Sequence, residues 1–161
     1  VTAPSTILTT VASALATRYP DFAVEAHGGQ FTERELPMLL GRAPAILVAC
    51  AGVSRLEPSG EFGWRADWRW SVAILAADLP AVPGDPPDVP SEPARPRAGL
   101  ALDTAFDLLT WLPDRTWGLA GARLPDPTSF GTDNLYTGHV NNLRIALWGV
   151  TWTQSFLFAP E

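Results

Sequence analysis

Between Trp64 and Leu79 the chain alternates so strictly that a β-strand is the one regular structure that fits it. Trp64, Ala66, Trp68, Trp70, Val72 and Ile74 fall on one side of a period of two, and Arg65, Asp67, Arg69 and Ser71 on the other. Side chains of a strand point alternately to its two faces, so one face is wide and aromatic and the other charged. The run before it, Pro44 to Val53, is rich in Ala, Ile and Val and reads as a central strand covered on both faces. Glu57-Pro58-Ser59-Gly60-Glu61 between the two is turn chemistry. Together they predict a long hairpin from Ala45 to Leu79.

The remaining elements are arranged around that hairpin. Ile7, Leu8, Val11 and Leu15 recur at helical spacing over 5–18, with Ser5 or Thr6 as the expected N-cap and Tyr19-Pro20 as the stop. A short strand is expected over Phe22, Val24 and Ala26, ended by Gly28-Gly29. Thr32-Glu33-Arg34-Glu35 has a capping-box pattern and predicts a turn of helix through Leu40. A second main helix is expected over Ala98 to Leu112, with Leu102, Phe106 and Leu109 as its apolar stripe, flanked by Ala98, Ala101, Ala105 and Leu108. Asp114 to Gly138 reads as irregular, with a short strand expected around Trp117 to Leu124. Leu143 to Phe158 reads as a final strand, apolar on both faces, which belongs in mid-sheet or against another subunit.

The order is not the regular alternation of a doubly wound sheet. It predicts an α+β fold: a mixed, mostly antiparallel sheet with a long hairpin and two main helices packed on one face. At 161 residues the chain has the size of a single domain. Seven prolines between 80 and 96 cannot join a sheet ladder, so residues 80–97 are expected to form a proline-rich surface loop within that domain.

Charge and composition narrow the chemistry. The net charge is −6, and all 11 basic residues are arginines scattered along the chain. A protein that holds nucleic acid through its phosphates carries a basic stripe, and none is present. The single cysteine, Cys50, lies in an apolar run, a poor setting for a thiolate, and excludes an internal disulfide. No apolar run is long enough to span a membrane, and no signal-peptide pattern opens the chain, so folding in a cytoplasm is expected. His27 and His139 lack the further ligands a metal site needs. No phosphate-binding glycine motif, nucleophile elbow or paired-cysteine motif occurs, and Asp126 and Asp133 read as loop acids. No catalytic residue, cofactor site or metal site is predicted.

Seven tryptophans remain to be placed. Trp148 and Trp152 on the last strand and Trp111 on the helix read as core. Trp64, Trp68 and Trp70 fit a core face, a subunit interface, or an exposed platform on which sugars stack.

In order, these features resemble the Mu-like prophage tail proteins that act as tail terminator or tail completion proteins. The pieces that carry the resemblance are the N-terminal helix ending at Arg18-Tyr19-Pro20, the stretch from Glu35 to Ala49 leading through Pro44 into an apolar strand, the hairpin, the alanine- and leucine-rich helix before Trp117-Gly118, and the terminal run from Ala146 to Gln154 around Trp148. The resemblance implies a virion protein assembled in the bacterial host cytoplasm. It implies a ring, commonly hexameric, that caps the tail tube and meets the head-side connector protein. DNA passes through the lumen of such a ring without specific binding, and an acidic lumen would repel phosphate.

A closed ring requires two different patches on each subunit. The expected interface residues are Trp64, Arg65, Trp68, Arg69 and Trp70 on the hairpin, Leu102 and Phe106 on the helix, and Trp148 and Trp152 on the last strand. The other readings are a different tail or neck component, such as a tube or head-completion protein, and a tryptophan-rich glycan-binding module.

Overall fold

The computed structural model describes residues 3–29, 43–60, 63–77, 97–135 and 145–158. The expected helical turn at Thr32–Leu40 and residues 80–96 of the proline-rich loop lie outside them.

Among the described residues, five strands and two α-helices make an α+β fold. In chain order the elements are α1 (Pro4–Arg18), β1 (Ala23–His27), β2 (Ala45–Pro58), β3 (Trp64–Ala77), α2 (Arg97–Trp111), β4 (Gly131–Asn134) and β5 (Ile145–Phe158). The sheet order is β1-β2-β3-β5-β4. Only β1 and β2 are parallel; the other three pairings are antiparallel.

Alternation builds the sheet as expected. The face carrying Ala66, Trp68, Trp70, Val72 and Ile74 of β3 is buried together with Ile46 and Val48 of β2 and Val150, Trp152 and Phe156 of β5. Both helices close over this face, α1 with Ile7, Val11 and Leu15, α2 with Ala101, Ala105 and Leu108. A smaller buried cluster, Ala45, Leu47, Ala73, Leu75, Ile145 and Leu147, occupies the opposite face at the end of the sheet where β2 begins. The first five residues of β2 are therefore buried on both faces, as its unbroken apolar run predicts.

Three local expectations are corrected. Helix α1 is not capped by Ser5 or Thr6. It begins one residue earlier, with Ala3 as the capping position and Pro4 in the first turn, where a missing N–H costs nothing. The buried stripe of α2 is not Leu102, Phe106 and Leu109 but Ala101, Thr104, Ala105 and Leu108. The facing sheet is filled with indoles, so the helix presents its small residues there, and Phe106 is left 54% exposed.

The third correction concerns Trp117 to Leu124, which forms turns with Trp117, Gly118 and Gly121 at positive φ rather than a strand. Beyond the turns, the amides of Arg123 and Asp126 donate to the carbonyls of Ser155 and Thr153, and Leu157 donates back to Gly121. Pro125 and Pro127 keep this edge from becoming a ladder. The strand on that side is β4 instead, four residues paired with Trp148–Thr151. Its sequence, Gly-Thr-Asp-Asn, has turn composition, so nothing in it announces a strand. With β3 on one side and β4 on the other, β5 lies inside the sheet.

Candidate functional site

Five of the seven tryptophans form one row. Trp68 stacks on Trp70 (centroids 5.8 Å apart), Trp70 on Trp152 (5.7 Å, planes within 11°), Trp152 meets Trp117 (6.3 Å), and Trp117 meets Trp111 edge-on (5.7 Å). Strand spacing places Trp68 and Trp70 two residues apart on one face, and the antiparallel register puts Trp152 directly opposite Trp70. The row runs from the middle of the sheet to the end of α2, where the guanidinium groups of Arg115 and Arg18 lie over Trp111 at 4.8 and 5.4 Å.

Gln154 fastens this row to the irregular segment beside it. Its side-chain oxygen accepts from the Trp117 indole N–H at 2.7 Å. Its amide nitrogen donates to the carbonyls of Arg115 (2.8 Å) and Arg123 (2.7 Å). At 1% exposure the amide is fully inside and has its polar atoms matched, as a buried polar group requires. Trp68 and Trp70 bury their indole nitrogens with no acceptor among the described residues.

These placements settle several expected interface residues. Trp68, Trp70 and Trp152 are 5%, 1% and 1% exposed, so they are core and offer no surface to another subunit or to a sugar. Trp148 is half-buried against the same core, and Leu102 is half-buried. Arg69, Phe106 and Trp64 are exposed, and Arg65 is half-buried with one terminal nitrogen lacking an acceptor among the described residues.

Two surface features remain. The first is the far end of the hairpin. β1 pairs with β2 only through Ala49, so beyond Cys50 the outer edge of β2 has no neighbouring strand among the described residues. Bulges between Cys50 and Gly52 and between Val53 and Arg55 interrupt its register with β3. Val53, opposite Trp68, and Leu56, opposite Ala66, point to the helix side beyond the reach of α1, and are 50% and 56% exposed; Trp64 beside them is 37% exposed. The opposite face of this end of the sheet, where β5 runs beside β3 as far as Trp64, carries Arg55, which holds Glu57 at 3.4 Å, and Arg65, Asp67 and Arg69. Asp67 accepts a hydrogen bond from the Ser155 hydroxyl.

The second is a groove of about 500 Å³ between α2 and the junction of α1 with β1. Pro20, Phe22 and Leu100 are among its apolar lining, and Asp21, Asp103, Asp107 and Arg18 its charged groups. Arg18 donates to both carboxylate oxygens of Asp107, at 3.2 and 2.7 Å, and the Tyr19 hydroxyl donates to the same carboxylate at 2.7 Å. Burial works against the charged form of Asp107, but these hydrogen bonds outweigh it and hold its pKa below the usual carboxylate range. Burial, reinforced by the hydrogen bond to Asp107, pushes the Tyr19 phenol well above its ordinary range. Asp21 and Asp103 are exposed and have no ion pair or hydrogen bond among the described residues.

The remaining candidates have local roles. The Asp126 carboxylate accepts from the Thr128 amide and hydroxyl at 2.9 and 2.7 Å, which lowers its pKa, so it closes a turn. Asp133 lies on β4. Cys50 is half-buried and packed against the core. The ring of His27 contacts the Gly29 carbonyl at 2.8 Å, and His139 lies outside the described residues. No group of three metal-ligating side chains occurs among the described residues, and none of the described helices is long and apolar enough to cross a membrane.

No protein-family model and no curated protein matches the chain. What it can do is therefore read from the groove, the exposed end of the hairpin and the order of its elements.

Proposed function

We propose that the chain is a structural subunit of a phage tail, a tail terminator or completion protein. It closes into a ring that caps the tail tube and meets the head-side connector, within a virion assembled in the host cytoplasm. The observation that carries this reading is the exposed end of the hairpin: Val53, Leu56 and Trp64 stand open to solvent there, and the β2 edge beyond Cys50 has no neighbouring strand among the described residues. Large apolar side chains gathered on one exposed element mark a surface that another protein covers. A net charge of −6 suits a ring whose lumen passes DNA without holding it.

Negative-stain electron microscopy with light scattering on the purified chain tests the proposal. The expected result is closed rings of one defined mass with an open centre. Long tubes would replace the terminator by a tube subunit, because a tube stacks indefinitely where a terminator stops. A strict monomer at every soluble concentration would overturn the ring.

A further inference from the structure

The groove between α2 and the junction of α1 with β1 already holds one cation of this chain, and its contacts show what the groove selects. The Arg18 guanidinium grips both oxygens of Asp107 and lies over the rings of Tyr19 and Trp111, at 5.9 and 5.4 Å. A flat, delocalised cation is matched there twice, by a carboxylate and by aromatic faces. The rest of the groove carries the same chemistry with no cation of the chain to use it. Asp103 stands one helical turn before Asp107 on the same side of α2, and Asp21 lines the wall formed by the α1–β1 junction. Neither has an ion pair or hydrogen bond among the described residues. Phe22, edge-on to Tyr19 at 6.1 Å, and Leu100 add half-buried apolar surface.

Independently of the ring reading, we propose that this part of the groove docks an arginine side chain of a partner protein, presented on a peptide segment with an apolar residue beside it. The guanidinium sits between Asp21 and Asp103, and its methylene stem lies along Phe22 and Leu100. Charge complementarity names the occupant, because the lining carries three carboxylates, Asp21, Asp103 and Asp107, against the single guanidinium of Arg18. A metal ion fits less well, since no group of three metal-ligating side chains occurs among the described residues. A lysine ammonium is more strongly hydrated and lacks the planar fork that two carboxylates can share. A small free cation would leave Phe106 unused. That ring follows Asp103 by three residues on α2 and is 54% exposed, so it offers apolar surface at the rim for the residue next to the arginine.

Equilibrium dialysis of the full chain against a blocked Leu-Arg-Leu peptide tests the docking. Binding should weaken as salt is raised. Replacing the arginine by citrulline, which keeps the shape and removes the charge, should abolish it. Asp21→Asn combined with Asp103→Asn should weaken binding by roughly tenfold or more, because the guanidinium loses both charged acceptors. Both positions are exposed, and thermal unfolding checks that the fold is kept. Asp133→Asn removes the same charge from β4 and should leave binding unchanged. Equal binding of the citrulline peptide, or unchanged binding in the double variant, would overturn the proposal. So would a wild-type chain that retains no peptide, or an Asp133→Asn variant that loses as much as the double variant, which would reduce the effect to net charge. Spermidine held as tightly as the peptide would make the groove a small-cation site and overturn the protein partner. Rings that bind no peptide overturn the docking alone, and a monomer that binds it overturns the ring alone.

Discussion

Gln154 shows how much a single side chain can hold. Two carbonyls and one indole N–H, from Arg115, Arg123 and Trp117, end on one buried amide. Gln154→Leu keeps the volume but leaves those three groups unmatched, at about 1–3 kcal/mol for each group that water does not reach. The urea midpoint should fall accordingly, with the slope of the transition unchanged.

The Arg18–Tyr19–Asp107 cluster gives a second prediction at this scale. Asp107 has a depressed folded pKa, so its stabilisation is present above the ordinary carboxylate value and is lost as pH falls through the folded value. Tyr19 has a raised folded pKa, so its contribution is present below the ordinary phenol value and is lost as pH rises through the folded one. Both side chains of the ion pair are more than a third exposed, so the acid effect is small and screened by salt. The phenol effect is directly visible. The chain has two tyrosines, and an ultraviolet titration should show one ionising late, a phase that Tyr19→Phe removes.

Among the elements, α2 carries the clearest lesson. Periodicity alone allows two adjacent stripes on this helix, Leu102-Phe106-Leu109 and Ala101-Ala105-Leu108. The larger residues look like the core, yet the sheet already fills that space with Trp70 and Trp152, and the alanines pack there. Ala105→Leu should therefore destabilise by about 1–3 kcal/mol through overpacking. Phe106→Ser should change stability by no more than about 0.5 kcal/mol. Thermal unfolding of the two variants separates the stripes, and the opposite ranking would reverse the placement of the helix.

At the scale of the whole molecule, one core spans both helices and the three long strands. A head-to-tail contact closes into a ring of fixed size only if each copy turns the next by the same angle. The rings expected by microscopy are therefore expected to have one defined mass.

The sequence by itself determined the α+β class, the hairpin and the two-sided burial of the start of β2, and it left β5 either in mid-sheet or against another subunit. Each of these follows from side-chain period or from an unbroken apolar run, signals that a strand carries in its own residues. Only the tertiary structure decided the rest. Whether a tryptophan on an alternating strand faces solvent, a partner or a helix depends on what lies opposite, so Trp68 and Trp70 were as compatible with a surface as with the core they occupy. Strand β4 has turn composition and exists because β5 has an edge to pair. The groove unites residues about 80 positions apart, Asp21 and Asp103, which no local pattern connects; packing α2 beside the start of β1 brings them together.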